Sequence, residues 1–248
     1  MNSISMAFFL TFMAGFSTML GIIPIFIKLK NETKIIAGSL AFAAGVMTCV
    51  SVTDLIPEAV IMLENQYNGA LTIILTFLFI MLGMTISNFI DKNIPITSES
   101  TSLYKVGLIS MLAIILHNLP EGIVTFISTT KDTSLGISLA IAIALHNIPE
   151  GISISVPLYY STKRKRKAIS YTFISSLSEP LGALLTYLFL LPIINEVILG
   201  LLFAFIAGIM IQISFTELLP TSTNYQMPVV TKTFFVIGTI FMLIKFFL

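Results

Sequence analysis

Two short motifs contain the side chains that are best suited to binding a metal ion. They read HNLPEG at residues 117–122 and HNIPEG at residues 146–151, and each begins with one of the only two histidines in the sequence. On an α-helix, side chains separated by three or four residues share a face. If two antiparallel helices pack with these faces opposed, six donor side chains converge: His117, Asn118, Glu121, His146, Asn147 and Glu150.

These side chains offer both nitrogen and oxygen ligands. Neutral imidazole suits zinc and other transition metals, whereas carboxylate and amide oxygens also accept harder ions such as iron(II) or manganese. Cys49 is the single cysteine, which excludes a cysteine-rich cluster and argues against copper(I) or tightly held structural zinc. One isolated histidine would favour an interhelical hydrogen bond, but twin motifs with no other histidine favour a site that binds and releases a divalent cation.

The motifs also contain helix-breaking residues. Pro120 and Pro149 lack an N–H, so the carbonyl groups of Leu116 and Leu145 lose their helical partners. The glycine that ends each motif allows neighbouring helices to approach closely. Unpaired backbone is tolerated at membrane depth only where it is buried in protein or faces water. The motifs therefore predict a wet or ligand-filled interior.

The elements that position these motifs must lie in a membrane. Of 248 residues, 56% are hydrophobic and 10% are charged, against about 45–50% and about 25% in soluble domains. The net charge of +1 gives no case for nucleic acid as a partner. Since a transmembrane helix needs about 20 apolar residues, we expect an all-α membrane protein with one transmembrane domain over residues 1–248. Eight transmembrane helices are predicted: Ser5–Ile27, Ile35–Met62, Gly69–Ile90, Tyr104–Thr129, Leu135–Tyr160, Ala168–Leu191, Val197–Pro220 and Val229–Phe247.

Basic residues predict the orientation of these spans. They gather in the connections that follow spans 1, 3, 5 and 7, whereas Lys131 is the only base in the opposite connections. Because basic residues favour the cytoplasmic side, we expect both termini to lie outside. The run from Lys163 to Lys167 fits a topology anchor that attracts lipid better than it fits a nucleic-acid site.

Internal similarity gives the chain inverted-repeat character. Residues 41–59 and 204–222 align without a gap and share Ala-Phe, Ala-Gly, Met, Ser, Thr, an acid, Leu and Pro at matching places. They fall on spans 2 and 7, which have opposite predicted directions, and the two HNxPEG motifs form a second similar pair. Inverted repeats that meet near the membrane midplane are typical of transporters.

Six acidic residues fall within the predicted spans, where an ionised carboxylate costs roughly 2.5–3.5 kcal/mol. No lysine or arginine lies within a span interior to neutralise them, so a divalent cation or a proton is required. Glu179, in the segment SEPLG, fits a shared metal ligand better than a protonated acid bonded to the backbone. Asp54, Glu58 and Glu217 lie near span ends, where a role in a vestibule and plain interfacial solvation are equally compatible with the sequence.

With these motifs the chain resembles the ZIP (Zrt-, Irt-like) family of divalent metal transporters, and its bacterial ZupT/GufA-like branch in particular. The resemblance covers the whole chain and implies import of zinc, and also of iron(II), manganese, cobalt or cadmium, across the plasma membrane, by a protein that is commonly a homodimer. The metal is the substrate, and no cofactor is implied. The resemblance further implies a binuclear centre between spans 4 and 5. One site would use His117, Glu121, His146 and Glu150, and the other Asn118, Glu121, Asn147, Glu150 and Glu179.

Two features depart from the family pattern. Many relatives have a long histidine-rich loop after span 3, whereas Asp91–Leu103 contains no histidine. Relatives can also carry a histidine or an acid just before the glutamate of span 7, where this chain has Thr216. These differences argue against metal sensing by the loop, and they weaken the assignment of Glu217 to the transport pathway.

Three other functions compete with transport of a metal. An intramembrane zinc hydrolase would commonly need an HExxH helix, and the sequence instead has His-x-x-x-Glu twice. A metal-sensing receptor would need a soluble output domain. A proton-coupled carrier of an organic solute would use the same buried acids. Zinc and iron(II) are not ranked by the sequence, because the same ligands serve both.

Overall fold

The computed structural model describes residues 3–27, 31–93 and 102–243, and this part of the chain is helical without any strand. Seven of its helices are long and apolar enough to cross a membrane, and one is shorter, with 16 residues. The helices are α1 (Ser3–Phe26), α2 (Glu32–Glu64), α3 (Gly69–Asn93), α4 (Ser102–Lys131), α5 (Thr133–Thr162), α6 (Lys165–Leu190), α7 (Glu196–Asn224) and α8 (Pro228–Leu243).

The predicted all-helical membrane protein is confirmed, and each predicted span overlaps one of these helices. The last predicted span extends to Phe247, but residues 244–248 lie outside the described residues. Much of the predicted Asp91–Leu103 loop also lies outside them, because 94–101 are not described. Helix α3 begins at Gly69, as predicted, and continues to Asn93, three residues beyond the predicted end at Ile90.

Four of the helices change their winding along their length. Helix α1 is α-helical over Ser3–Ser17 and a 3₁₀-helix over Thr18–Phe26. Helix α2 consists of Glu32–Val50, a π-helical turn at Ser51–Leu55, and Ile56–Glu64. Helix α6 consists of Lys165–Ser176, Ser178–Leu185 and a π-helical turn at Thr186–Leu190. Helix α7 consists of Glu196–Ile213, a π-helical turn at Ser214–Leu218, and Leu219–Asn224.

Asparagine and aspartate side chains cap the first turns of four helices. Asn31 accepts a hydrogen bond from the Lys34 amide at 3.0 Å, and Asp132 accepts one from the Ser134 amide at 2.8 Å. Asn68 and Asn195 do the same for α3 and α7. Such caps satisfy N–H groups that have no partner within the helix. These caps therefore fix the residues at which the four helices begin, in the polar segments between apolar runs.

The repeated segments of α2 and α7 have the same local structure. Their π-helical turns occupy matching positions, and each lies shortly before a proline, Pro57 or Pro220. Proline removes an N–H from the helical ladder, so the preceding turn rewinds. In each turn the first serine, Ser51 or Ser214, donates to the carbonyl oxygen four residues earlier at 2.8 Å. The sequence similarity is therefore also a structural one.

The helices pack as two groups of four. Helices α1, α4, α5 and α6 contact one another and form what we call the site bundle. In the other group, the flanking bundle, α2 packs on α8 and on α7, and α7 packs on α3. Contacts of α2 with α5 and of α4 with α7 join the two bundles.

Glycines allow close approach between helices, and they do so within each bundle. A Cβ atom on Gly45 would overlap the Phe235 carbonyl oxygen, and one on Gly83 would overlap that of Phe205. Apart from Gly69, which faces open space, every glycine has its nearest neighbours in its own bundle. The close glycine contacts therefore lie within the bundles, and none of them crosses the boundary.

Candidate metal centre

The two HNxPEG motifs meet at the contact between α4 and α5. His117 Nε2 lies 2.9 Å from Glu150 Oε1, and His146 Nε2 lies 3.4 Å from Glu121 Oε2. Each histidine thus pairs with the glutamate of the other helix. This reciprocal pairing follows from two similar motifs on antiparallel neighbours, where the histidine that begins one motif faces the glutamate near the end of the other.

Helices α6 and α1 complete the arrangement around Asn147. The Asn147 side-chain amide donates to Glu179 Oε1 and to the Ala14 carbonyl oxygen, the latter at 2.9 Å. Glu179 therefore lies with the two motifs, as the SEPLG segment led us to expect. The participation of Ala14 could not be read from the sequence, because a backbone carbonyl in an apolar helix carries no residue-type signal.

Glycines determine how closely these helices approach. A Cβ atom on Gly122 would overlap the Glu179 carbonyl oxygen, and one on Gly182 would overlap that of Leu119. On the other side, a Cβ atom on Gly151 would overlap the Thr18 carbonyl oxygen. Helices α4 and α5 both continue through their prolines. The motif glycines thus bring α6 and α1 against the two motif helices.

All seven predicted ligand residues are buried, with exposures of at most 5%. Four oxygen atoms among them have no hydrogen-bond partner: Asn118 Oδ1, Asn147 Oδ1, Glu150 Oε2 and Glu179 Oε2. An unpaired buried polar group costs about 1–3 kcal/mol, and more if it is charged. Carboxylate and amide oxygens are the donors that divalent cations accept. The cluster is thus chemically suited to a cation that would satisfy these atoms.

The pairing also restricts how a cation can bind. Among the described residues, no three His, Cys, Asp or Glu side chains lie in an arrangement that could hold a metal ion. The imidazoles and carboxylates of the motifs contact each other instead. A cation that binds here must therefore take the place of His–Glu contacts, and the two-site ligand assignment stays a prediction.

A cavity of about 630 Å³ reaches one of the two His–Glu pairs. Glu121 and His146 line it, whereas His117 and Glu150 do not. Helices α2, α4, α5 and α7 form its walls, and Asp54 and Glu58 of α2 lie on its lining together with Thr53 and Ser128. The structure therefore places the two α2 acids in the same cavity as the cluster, whereas Thr53 and Ser128 carried no signal in the sequence.

Glu217 has different surroundings, although it matches Asp54 in the internal repeat. It lies close to Asp91 of α3 and Lys105 of α4, and the Lys105 ammonium is 2.6 Å from Asp91 Oδ1. It is not on the lining of the cavity. The structure thus separates Glu217 from Asp54 and Glu58 and gives it a lysine nearby.

Comparison with known proteins gives a consistent result. Residues 96–245 match the family model described as ZIP Zinc transporter. The chain is 40% identical to zinc transporter ZupT of Oceanobacillus iheyensis, with 91% of each chain covered. It is 42% identical to zinc transporter ZupT of Streptococcus mutans, with 88% covered. It is 41% identical to zinc transporter ZupT of Chlorobaculum parvum, with 90% of each chain covered.

The helices and the buried cluster define a multi-pass membrane protein with buried imidazole, carboxylate and amide groups in its interior. The matched family and the extent of the similarity place it further: the chain belongs to the ZIP zinc transporter family. It is accordingly a transporter of the plasma membrane and not an enzyme, and the hydrolase alternative is set aside.

Proposed function

We propose that this chain imports divalent metal cations, with zinc as its main substrate. The observation that carries the proposal is the buried cluster of imidazoles, carboxylates and unpartnered oxygens at the end of an open cavity. The relatives named above are zinc transporters. Iron(II), manganese, cobalt and cadmium accept the same donors, and we propose them as further substrates.

The ligands would form two sites that share Glu121 and Glu150. The first would use the two His–Glu pairs, whose atoms are already in contact. The second would use the oxygen donors, and the four unpartnered oxygens of the cluster all belong to its proposed ligands. The match between unpartnered oxygens and proposed ligands supports the composition of the second site: Asn118, Glu121, Asn147, Glu150 and Glu179.

Ions would enter through the cavity from the outside. Asp54 and Glu58 lie on its lining, so their carboxylates would attract cations towards Glu121 and His146. The distribution of bases supports this direction, because the helix ends near the cavity carry few of them. In this proposal α8 is the eighth span, both termini lie outside, and one transmembrane domain covers residues 1–248.

Release to the inside would require the two bundles to move relative to each other. The cavity lies between α2 and α7 of the flanking bundle and α4 and α5 of the site bundle. Because each bundle is held together by its own glycine contacts, each can move as a unit. This is a form of alternating access between inverted repeats. The lipid bilayer surrounds the protein, and a homodimer is our proposal for its assembly.

Uptake of radioactive zinc into proteoliposomes tests the proposed function. Glu121→Gln and Glu150→Gln should each reduce uptake by at least about tenfold, since one lost charge-assisted contact exceeds 1.4 kcal/mol. Glu64→Gln is the matched control, because Glu64 is an exposed acid on α2 that does not line the cavity. Competition by each of the other four metals ranks the substrates. Undiminished uptake by a folded double variant of Glu121 and Glu150 would contradict the proposal.

A further inference from the structure

Two lysine ion pairs join the site bundle to the flanking bundle. Lys105 Nζ of α4 lies 2.6 Å from Asp91 Oδ1 of α3, and Lys163 Nζ at the end of α5 lies 2.5 Å from Glu32 Oε2 of α2. Within the described ranges, no other lysine or arginine forms an ion pair. Each pair thus connects one helix that carries a site motif to a helix of the other bundle.

Both pairs lie at the end of the molecule opposite the cavity. Lys105 lies in the first turn of α4, and Lys163 follows the last turn of α5. The cavity is lined by the later part of α4, from Glu121 to Ser128, and by the early part of α5, from Leu135 to His146. The cavity therefore separates the bundles at one end of the molecule, and the two ion pairs connect them at the other end.

The boundary between the bundles lacks the close glycine contacts that each bundle has inside it. No glycine makes its close contacts across it, so a displacement of one bundle need not disrupt the packing within either. A displacement at the α4 end would, however, separate Lys105 from Asp91. The ion pairs are thus contacts that one arrangement of the bundles has and another would lack.

We propose that Lys105 and Lys163 are positioning residues of the transport cycle, whose ion pairs hold the arrangement in which the cavity is open. This inference rests on the proposed function, because it assumes that the bundles move during transport. The Lys105–Asp91 pair is the less exposed, with side chains 18% and 23% accessible against 56% and 58% for the other pair. Exposed pairs contribute little, so the Lys105 pair has the greater influence.

A small pocket at the tied end supplies a reporter. Ser87 of α3 lines it with Ile109 and Ala113 of α4 and with Ile209 and Ile213 of α7. Ser87 is 4% exposed, so a cysteine there reacts with a maleimide mainly when the bundles separate at this end. Cys49→Ser removes the single native thiol. The reaction rate of S87C in purified, metal-free protein then measures the population of the separated arrangement.

Removing the near pair should raise this rate. Lys105→Gln and Asp91→Asn should each accelerate labelling of S87C by about three- to tenfold, a range typical of a partly buried pair. The charge swap of Lys105→Asp with Asp91→Lys should return the rate towards the original. Lys131→Gln is the matched control, since Lys131 is an exposed base at the other end of α4, and it should leave the rate unchanged.

The distant pair separates bundle movement from local loosening. Glu32→Gln and Lys163→Gln change exposed residues on other helices, so they should accelerate labelling of S87C in the same direction by a smaller factor. Labelling that responds only to the near pair, or that the charge swap does not restore, overturns the proposal. Labelling is measured without metal, so it is independent of zinc uptake. Absence of zinc uptake by the unmodified protein would refute the proposed function, whereas the labelling rates alone decide whether the ion pairs hold the bundles together.

Discussion

Asn118 and Asn147 occupy matching places in the two motifs but have different surroundings. Both are fully buried. Neither side-chain atom of Asn118 has a hydrogen-bond partner, whereas the Asn147 amide donates to Glu179 and to the Ala14 carbonyl oxygen. Asn147 is therefore part of the folded framework, and Asn118 bears the cost of burial without a compensating contact. We expect the side-chain oxygen of Asn118 to gain its missing partner when a cation binds.

This difference predicts opposite effects on stability. Asn118→Leu removes a buried polar group without a partner, so it should raise the free energy of unfolding by about 1–3 kcal/mol. Asn147→Leu leaves the Glu179 carboxylate and the Ala14 carbonyl without their donor and should lower it by a similar amount. Thermal unfolding in detergent without metal measures both. Added zinc should stabilise either variant less than the original protein. Equal destabilisation by both substitutions would contradict the assigned roles.

At the scale of elements, the sequence predicts where helices lie better than how they meet. Apolar runs predict the position of each of the eight described helices, seven of them long enough to span a membrane, because length and hydropathy are local properties. The repeat of residues 41–59 in 204–222 likewise reappears as matching π-helical turns, since the shared proline acts locally. The exchange of partners between His117 and His146 depends on the depth at which α4 and α5 cross. The Ala14 carbonyl and the cavity arise only from the packing of several helices, so no sequence pattern could reveal them.

The approach of α4 to α6 provides a test at this scale. Gly122→Ala places a methyl group against the Glu179 carbonyl oxygen, which should separate the helices and displace Glu179 from Asn147. We expect a loss of about 1–3 kcal/mol in stability, as for other overpacked sites, together with weaker zinc binding measured by calorimetry. Gly69→Ala is the control, because no atom lies within contact distance of a Cβ atom there. Equal behaviour of the two variants would show that the contact is dispensable.

At the scale of the whole molecule, the charged residues have two separate locations. Acidic side chains of the cluster and the cavity lie within α2, α4, α5 and α6. The bases lie mainly at helix ends, and the run at residues 163–167 lies where α5 ends and α6 begins. The near-zero net charge therefore combines acids in the cluster and the cavity with a basic face at one end of the helices. In the proposed direction of transport, a cation that enters by the cavity would leave the protein past the basic face, where the two interbundle ion pairs lie.

The proposed orientation can be tested because the connections on the two faces are exposed. Gln66 follows α2 on the cavity side, and Asn224 ends α7 on the opposite side, and both are exposed. In a Cys49→Ser background, Gln66→Cys should react with a membrane-impermeant maleimide in intact cells. Asn224→Cys should react only after the membrane is permeabilised. Because the bases cluster on the Asn224 side, positive-inside orientation favours this result. The reverse labelling pattern would place the cavity on the cytoplasmic side and would contradict the proposed orientation.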